Sequence, residues 1–378
     1  MSIVLLVIGL LLFVGLVVIH EFGHFLTARR NGVEVEEFGI GFPPRAWSKK
    51  TKEGFIFSLN WLPIGGFVKL KGETDAATEK GTLGAASIWA KAKIMLAGVF
   101  MNLAVAFILL TFLALVGMPQ LLDNQYTYAG DTTIARNEVL VGTVEKDSPA
   151  AKAGLSPRDR LISIADGGKT YTITNANQLP SVTKSLAGKK LTVAYERKGQ
   201  LKSTTLTLRD QKTVDASKKT GHAKGYLGVS PAEFTLTRST WSAPIVAARL
   251  LWQFTTATFQ GLGTALSALF HGNGSKAAEQ VSGPVGIIVI LKDGSLLGYE
   301  FVLMIIAIIS LTLALMNVLP IPALDGGRLF MMLLSQLSLK LTGKRMSEKT
   351  EETIVGASFI ALLSLIVLIT VVDVRRFF

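Results

Sequence analysis

The 378-residue sequence contains no cysteine. Neither a disulfide framework nor a thiolate metal site can form, so any metal ion must be held by histidine and carboxylate side chains. Charged residues are also scarce, at 17% of the chain, whereas hydrophobic residues make up 49%. This balance argues against two or three soluble domains and indicates an integral membrane protein.

The N-terminus lacks the features of a cleaved signal peptide. No basic region precedes its apolar run, and no small-residue cleavage site of the A-x-A type follows. The apolar sequence continues through Phe25 and Leu26. We therefore expect this segment to stay in the membrane, with a cleaved signal peptide as the less favoured alternative.

Four long runs of the chain contain no charged residue. Each is long enough to cross a hydrocarbon core of about 30 Å. The predicted fold class is a polytopic α-helical membrane protein with about four transmembrane helices. The charge-free runs are residues 3–19, 94–118, 301–324 and 354–372, and the helices are expected within 1–28, 91–118, 298–328 and 353–373.

Basic residues predict the orientation. The segment from Arg29 to Lys93 is rich in lysine and arginine, whereas none precedes the first run. The N-terminus is therefore expected to be extracytoplasmic, and residues 329–352 cytoplasmic, although Arg375 and Arg376 then fall outside, against the rule. No phosphate loop or aromatic-basic motif accompanies the net charge of +12. The lipid bilayer, rather than nucleic acid, is thus the expected partner.

Two segments between the spans have β-type patterns. Within the cytoplasmic segment 29–90, short alternating runs punctuated by glycine and proline predict a membrane-associated β-hairpin region, with an ordinary basic loop as the alternative. Residues 119–230 are predicted to be extracytoplasmic. Within them, 138–210 predict a compact α+β domain with a hairpin around Gly199.

Residues 242–270 are ambiguous between an interfacial helix and a fifth span. They carry one charge, Arg249, and an apolar stripe that includes Ile245, Trp252, Phe259 and Leu266. This stripe favours a helix in the membrane interface, as part of a set of interfacial amphipathic helices at 231–297.

The stretch HEFGH, residues 20–24, places ionisable groups inside the first apolar run, at a cost of roughly 2.5–3.5 kcal/mol per residue. On a helix, His20 and His24 share a face and can converge on one Zn²⁺. Glu21 beside them is placed to act as a general base on water. Hydrogen bonds that satisfy the two histidines are the alternative, but three ionisable groups on one turn favour a bound cation.

Catalytic zinc usually takes three protein ligands, so a third is expected elsewhere. His222 and His271 are predicted to be surface residues. Asp325 is the better candidate, because Pro320 and Pro322 before it interrupt the helix and let the carboxylate turn inward. The alternative is that Asp325 caps the helix that follows.

The motifs together resemble the site-2 protease family, peptidase family M50. Within that family the chain is most similar to the bacterial regulator-of-sigma-E protease group, with one PDZ-like domain where the enterobacterial type carries two. The motifs are H-E-x-x-H at 20–24, GIGFPPR and LPIGGFVKLKGE in the loop, SGPVGI at 282–287, and N-x-x-P-x-P-x-L-D-G-G at 317–327.

The resemblance implies a zinc intramembrane endopeptidase of the bacterial inner membrane with its active site near the cytoplasmic side. It implies transmembrane protein substrates, such as anti-sigma factors or remnant signal peptides, cleaved in regulated intramembrane proteolysis. His20, His24 and Asp325 would hold one catalytic zinc, and Glu21 would be the acid-base. The PDZ-like domain would contact a peptide or the substrate ectodomain. The implied substrate-binding residues are Asn317, Asn102, Gly65, Gly66, Phe67 and Val68.

A catalytically silent membrane scaffold that presents a PDZ-like binding domain is the alternative from a different functional class. It would leave Glu21 as a buried charge without a purpose. A transporter is disfavoured, because the chain lacks the inverted repeats and the number of spans typical of such folds.

Overall fold

A computed structural model describes residues 2–73, 77–219, 223–279, 281–343 and 346–377. His222, expected at the surface, lies outside these ranges. The chain divides into two compact units, one of residues 1–115, 126–128 and 241–378, and one of residues 116–125 and 129–240. In chain order the elements are α1 (Ser2–Arg30), β1 (Val35–Lys50), β2 (Ile56–Leu70), α2 (Ile88–Val116), β3 (Met118–Pro119), β4 (Thr133–Val144), α3 (Pro149–Lys152), β5 (Arg160–Ala165), β6 (Thr170–Thr172), α4 (Gln178–Ser185), β7 (Lys190–Arg197), β8 (Gln200–Thr207), α5 (Gln211–Lys219), β9 (Val229–Arg238), α6 (Ala243–Phe270), α7 (Gly274–Glu279), α8 (Pro284–Ser295), α9 (Tyr299–Val318), α10 (Asp325–Thr342) and α11 (Glu348–Phe377).

Among the described residues, four helices are long and apolar enough to cross a membrane: α1, α2, α9 and α11. Each coincides with most of one charge-free run, although α2 ends at Val116 and α9 at Val318, before the ends of their runs. The prediction of a multi-pass helical membrane protein is confirmed. The helix α9 is the most enclosed of the four, whereas no residue in the most apolar part of α11 is buried. An exposed apolar helix of this kind is suited to contact with lipid.

The helix α6 is not among these four, and it has two distinct faces. Trp252, Phe259 and Leu266 follow one another at intervals of seven residues and are exposed, while Val246 and Leu250 on the opposite face are buried. An apolar stripe of this kind suits the membrane interface. The interfacial position of α6 stays a prediction.

The strands β1 and β2 form one long hairpin that folds over itself. Residues 35–40 lie between residues 56–59 on one side and residues 66–70 on the other. Residues 45–50 pair with the second side of residues 56–60 and form the outermost strand there. Among the described residues, 66–70 has no strand partner on its second side. We refer to residues 66–70 as the edge segment.

Aromatic contacts hold the hairpin against α1. The ring of Phe25, on α1, meets the rings of Phe38 and Phe55 with centroids 5.5 and 5.0 Å apart, in edge-to-face arrangements. Such pairs add to the stabilisation from burial. The hairpin therefore packs on the turn of α1 that follows the two histidines.

The second unit is a seven-stranded sheet in the order β3-β9-β4-β5-β7-β8, with β6 beside β5. The predicted hairpin around Gly199 is present between β7 and β8. The predicted limits were wrong at residue 231, where interfacial helices were expected to begin. Residues 229–238 are strand β9, because Phe234 and Leu236 alternate with polar residues and are buried. Pro231 obscured this pattern in the sequence.

The chain leaves the helical conformation around Pro320 and Pro322, as predicted. The helix ends at Val318, and Leu319 adopts an extended conformation. The helix α10 then begins at Asp325, so residues 319–324 form a short irregular segment at the end of the third span. Such a backbone is tolerated at membrane depth where protein surrounds it.

Candidate metal centre

The two histidines of α1 lie on one face and point to a common position. Their Nε2 atoms are 3.2 Å apart, and their rings meet edge to face with centroids 4.8 Å apart. Each residue is only 6% exposed. The spacing of four residues produces this convergence, since residues i and i+4 are neighbours on a helix surface.

Asp325 completes a three-residue cluster with these histidines. Its Oδ2 atom lies 2.9 Å from Nε2 of His20 and 3.2 Å from Nε2 of His24. No side chain caps the start of α10. Of the two expectations for Asp325, the structure therefore places its carboxylate at the histidines and not in a cap.

Two glycines explain how Asp325 reaches this position. A Cβ atom on Gly326 would lie 2.2 Å from the carbonyl oxygen of Val318, and one on Gly327 would lie 1.9 Å from that of Ile321. The first turn of α10 therefore packs directly on the backbone of the irregular segment. Any side chain at these positions would push Asp325 away from the histidines.

The helix α2 supplies the surroundings of both imidazole rings from three successive turns. The carbonyl oxygen of Ile94 accepts a hydrogen bond from Nδ1 of His24 at 2.7 Å. A Cβ atom on Gly98 would lie 2.5 Å from Nε2 of His24 and 2.6 Å from that of His20. The side-chain Nδ2 of Asn102 lies 3.2 Å from Nδ1 of His20. Gly23 of α1 lets the two helices approach this closely, because it has no side chain. A Cβ atom there would lie only 2.7 Å from the carbonyl oxygen of Ala97.

The cluster fits a zinc ion by its donor types and by its dimensions. Tetrahedral zinc with ligands at about 2.0–2.2 Å requires donor atoms about 3.3 Å apart. The three observed separations of 2.9, 3.2 and 3.2 Å are close to that value. The hydrogen bond from Nδ1 of His24 to a backbone carbonyl leaves Nε2 with its lone pair free, as in most zinc-binding histidines.

Glu21 lies beside the cluster and against the edge segment. The backbone N–H of Val68 lies near the Glu21 carboxylate. A Cβ atom on Gly66 would lie 3.4 Å from Cγ of Glu21. Glu21 therefore lies next to the edge segment.

The remaining predicted site residues lie in three places. Gly65, with φ +98°, directly precedes the edge segment, and Phe67 belongs to it; a Cβ on Gly39 would meet the Phe67 ring at 2.4 Å. Asn317 is half-buried near the end of α9, and no hydrogen bond to another described residue occupies its side chain. Asn102 is only 1% exposed and lies at His20.

Sequence reasoning missed the contributions of Ile94 and Gly98. It also missed an ion pair between Arg328 and Glu73, whose Nη1 and Oε2 atoms lie 3.0 Å apart. Ile94 acts through its carbonyl oxygen and Gly98 through its lack of a side chain, so neither carries a chemical signal. The spacing of Gly98 and Asn102, one helical turn apart, is the one pattern that could have indicated a shared face.

Comparisons with known proteins extend over both units. The model of Peptidase family M50 matches residues 8–365. A Fusobacterium nucleatum protein that carries the name zinc metalloprotease is 31% identical over 373 residues, covering 98% of this chain and 97% of that protein. A Clostridium acetobutylicum protein with the same name is 31% identical over 375 residues, covering 99% of this chain and 98% of its own length. A third, from Clostridium perfringens, is 29% identical over 372 residues.

Proposed function

The chain belongs to peptidase family M50 and is a membrane zinc metalloprotease, and from that premise we propose that it hydrolyses a peptide bond within the transmembrane segment of single-span membrane proteins. The proposed substrates are anti-sigma factors or remnant signal peptides, in regulated intramembrane proteolysis. The proposed location is the bacterial inner membrane, with an extracytoplasmic N-terminus and the site near the cytoplasmic side. The proposal is carried by the meeting of three ligand atoms with Glu21 beside a strand edge.

His20, His24 and Asp325 are the proposed zinc ligands, through two Nε2 atoms and one Oδ2 atom. When bound, the zinc ion supplies Lewis-acid chemistry and lowers the pKa of water towards about 7. The donor set supports this assignment because two nitrogens and one oxygen leave a fourth position for the reaction. The burial of the histidines keeps bulk water from competing for their lone pairs.

Glu21 is the proposed acid-base. Its carboxylate takes a proton from the attacking water as the water oxygen bonds to the peptide carbon. The same group then delivers that proton to the amide nitrogen as the C–N bond breaks, so the carboxylate is regenerated. The position of Glu21, next to a proposed ligand and at the edge segment, supports both transfers.

The edge segment is the proposed support for the substrate. A transmembrane helix hides its peptide carbonyls, so the cleaved segment must unwind and become extended. A peptide that pairs with residues 66–70 would run past Glu21, because Gly66 and Val68 of this segment lie beside that side chain. The amide of Asn317, to which no described residue hydrogen-bonds, is a proposed second contact with the substrate backbone.

The second unit is the proposed extracytoplasmic PDZ-like domain, which would contact a peptide or the substrate ectodomain and exclude substrates whose ectodomains are bulky. The first and last strands of this unit, β3 and β9, pair with each other at Met118 and Thr237. This pairing supports a single module inserted into the chain. A substrate whose ectodomain can be removed by a specific protease tests this filter. Cleavage is expected only after the ectodomain has been removed. Equal cleavage of the intact and the trimmed substrate would contradict the filter.

The decisive test of the proposed function replaces Glu21 with glutamine. The full-length enzyme and Glu21→Gln are each combined with a single-span reporter in liposomes, and cleavage and bound zinc are measured. Removal of the acid-base is expected to lower cleavage by about 10²–10⁴-fold while zinc remains bound. Unchanged cleavage would contradict the mechanism, and reporter binding without cleavage by the wild type would favour a scaffold.

A further inference from the structure

Asn102 has one buried polar atom whose purpose the proposed function does not explain. The residue is 1% exposed, and its side-chain Oδ1 has no hydrogen-bond partner among the described residues. Its backbone is fixed, because Oγ of Ser310 donates a hydrogen bond to its carbonyl oxygen at 2.7 Å. The residue is therefore anchored through its backbone, and its side-chain Nδ2 lies 3.2 Å from Nδ1 of His20.

The two histidines must each offer one specific ring nitrogen to a metal. A neutral imidazole that binds a metal through one nitrogen carries a hydrogen on the other, and that hydrogen needs an acceptor. For His24 the acceptor is the carbonyl oxygen of Ile94. For His20, Nε2 faces Asp325 and His24, so Nδ1 must carry the hydrogen. The polar group at that atom is the amide of Asn102.

We infer that Asn102 is a positioning residue that selects the metal-binding tautomer of His20. The oxygen and nitrogen ends of an amide are nearly equal in size, so a half-turn of the amide exchanges them. That half-turn puts Oδ1 on the Nδ1–H of His20 and gives the unpaired oxygen its partner. The inference rests on the proposed ligand role of His20.

This role differs from the substrate contact that the sequence implied for Asn102. A side chain that is 1% exposed and directed at an imidazole ring is not available to the backbone of an incoming peptide. Asn317 has the opposite environment, because it is half-buried and its amide has no hydrogen-bond partner among the residues that the structure describes. The two asparagines are therefore expected to respond differently to the same substitution.

Zinc affinity of the full-length protein in detergent, measured by competition with a chromophoric chelator, tests the inference. Asn102→Leu removes the acceptor at similar volume and is expected to weaken zinc binding by about 10–100-fold, the usual effect of losing such a partner. Asn102→Asp keeps an acceptor and is expected to bind zinc at least as tightly as the wild type. Asn317→Leu, the matched control, is expected to keep wild-type zinc affinity. Unchanged affinity in Asn102→Leu would overturn the inference.

A His20→Gln variant separates the inference from the proposed function beneath it. Loss of zinc in His20→Gln together with wild-type affinity in Asn102→Leu would reject the role of Asn102 alone. Wild-type affinity in His20→Gln would reject the ligand set itself. The two failures therefore give different results.

Nitrogen-15 NMR of the histidines in the zinc-loaded wild type tests the tautomer without any variant at Asn102. The chain has four histidines, so the spectrum is simple to assign. A directly bonded hydrogen on Nδ1 of His20 is expected. A hydrogen-free Nδ1 would overturn the inference even if every Asn102 variant failed to fold.

Discussion

Arg328 donates a hydrogen bond from Nη1 to Oε2 of Glu73 over 3.0 Å, and Oε1 of Glu73 accepts one from the backbone N–H of Leu70 at 2.9 Å. Arg328 belongs to the first turn of α10, which begins with Asp325, and Leu70 ends the edge segment. Two parts of the site that are far apart in sequence are therefore joined by one carboxylate. The edge segment is held at a fixed distance from a proposed metal ligand.

Reversal of either charge in the Arg328–Glu73 pair is expected to disturb the position of the edge segment without loss of metal binding. Arg328→Glu and Glu73→Arg should each lower kcat/KM by roughly tenfold, since a displacement of about 1 Å can cost up to ~100-fold. Bound zinc should remain at one ion per chain in both. The measurement is reporter cleavage together with zinc content.

The double variant, which carries both exchanges, is the control for this prediction. It should recover part of the lost cleavage, because the ion pair can reform in reverse, with a coupling free energy of about 0.5–1 kcal/mol for a partly exposed pair. Losses that simply add in the double variant would show that the two residues act independently.

A methyl group at Gly98 is expected to weaken metal binding. The new Cβ would lie 2.5–2.6 Å from the Nε2 atoms of both histidines, inside normal contact distance. Gly98→Ala should therefore weaken zinc binding by more than about tenfold, measured by chelator competition. Gly15→Ala on α1 is the matched control, because nothing lies within 4 Å of a Cβ there. Equal zinc affinity in the two variants would contradict the geometry of the cluster.

A side chain at Gly66 is expected to impair catalysis without loss of zinc. A valine there would crowd Cγ of Glu21 and the carbonyl oxygen of Gly39, which lie 3.4 and 3.2 Å from the first added carbon. We expect Gly66→Val to lower kcat by about tenfold or more through displacement of Glu21. Fixed-time reporter cleavage assays on zinc-loaded protein measure kcat. Zinc loss in parallel with activity would instead point to a general disturbance of α1.

Asp373 is expected to attach α11 to the rest of the helical unit. Its Oδ2 accepts hydrogen bonds from the backbone N–H groups of Gly283 and Gly286 at 2.9 and 2.8 Å, and the residue is 1% exposed. Asp373→Leu leaves both donors unpaired and should lower the free energy of unfolding by about 2–4 kcal/mol. Denaturation in mixed micelles measures the loss. Glu352→Leu, at an exposed position on the same helix, should change stability by less than about 0.5 kcal/mol.

Glu37 makes the hairpin sensitive to acid. Burial opposes its ionisation, but hydrogen bonds from Arg45 and Ser58 outweigh this and hold the pKa of Glu37 below its usual range. A lowered folded-state pKa stabilises the protein above the unfolded pKa of about 4.3, and the benefit is lost as pH falls through the folded value. The stability difference between wild type and Glu37→Gln should therefore shrink as pH falls below about 4.

Thermal unfolding of both proteins from pH 6 to pH 3 measures this effect. Glu36→Gln is the control, because the Glu36 side chain is 44% exposed and its ion pair with Lys69 is open to solvent. That substitution should leave stability nearly unchanged at every pH. A difference for Glu37→Gln that stays constant with pH would show that the carboxylate is not ionised in the folded protein.

How much could be predicted depends on whether a feature is local in sequence. The convergence of His20 and His24 follows from one helical turn, and the turn of Asp325 towards them followed from two prolines. The doubled hairpin, in which residues 35–40 lie between two other segments, arises from pairings that no periodicity reveals. Ile94 and Gly98 act through a backbone oxygen and an absent side chain, which leave no residue type to recognise.

The order of synthesis gives the separation of His20 and Asp325 a biological consequence. The two residues meet at 2.9 Å although 305 positions separate them along the chain. A ribosome that adds about 5–20 residues per second needs roughly 15–60 s to pass from one to the other. During that interval the growing chain already holds its first span in the membrane but lacks its third proposed ligand. With Asp325 as a ligand, the metal centre cannot be completed among other newly inserted proteins until the segment that carries this residue has been made.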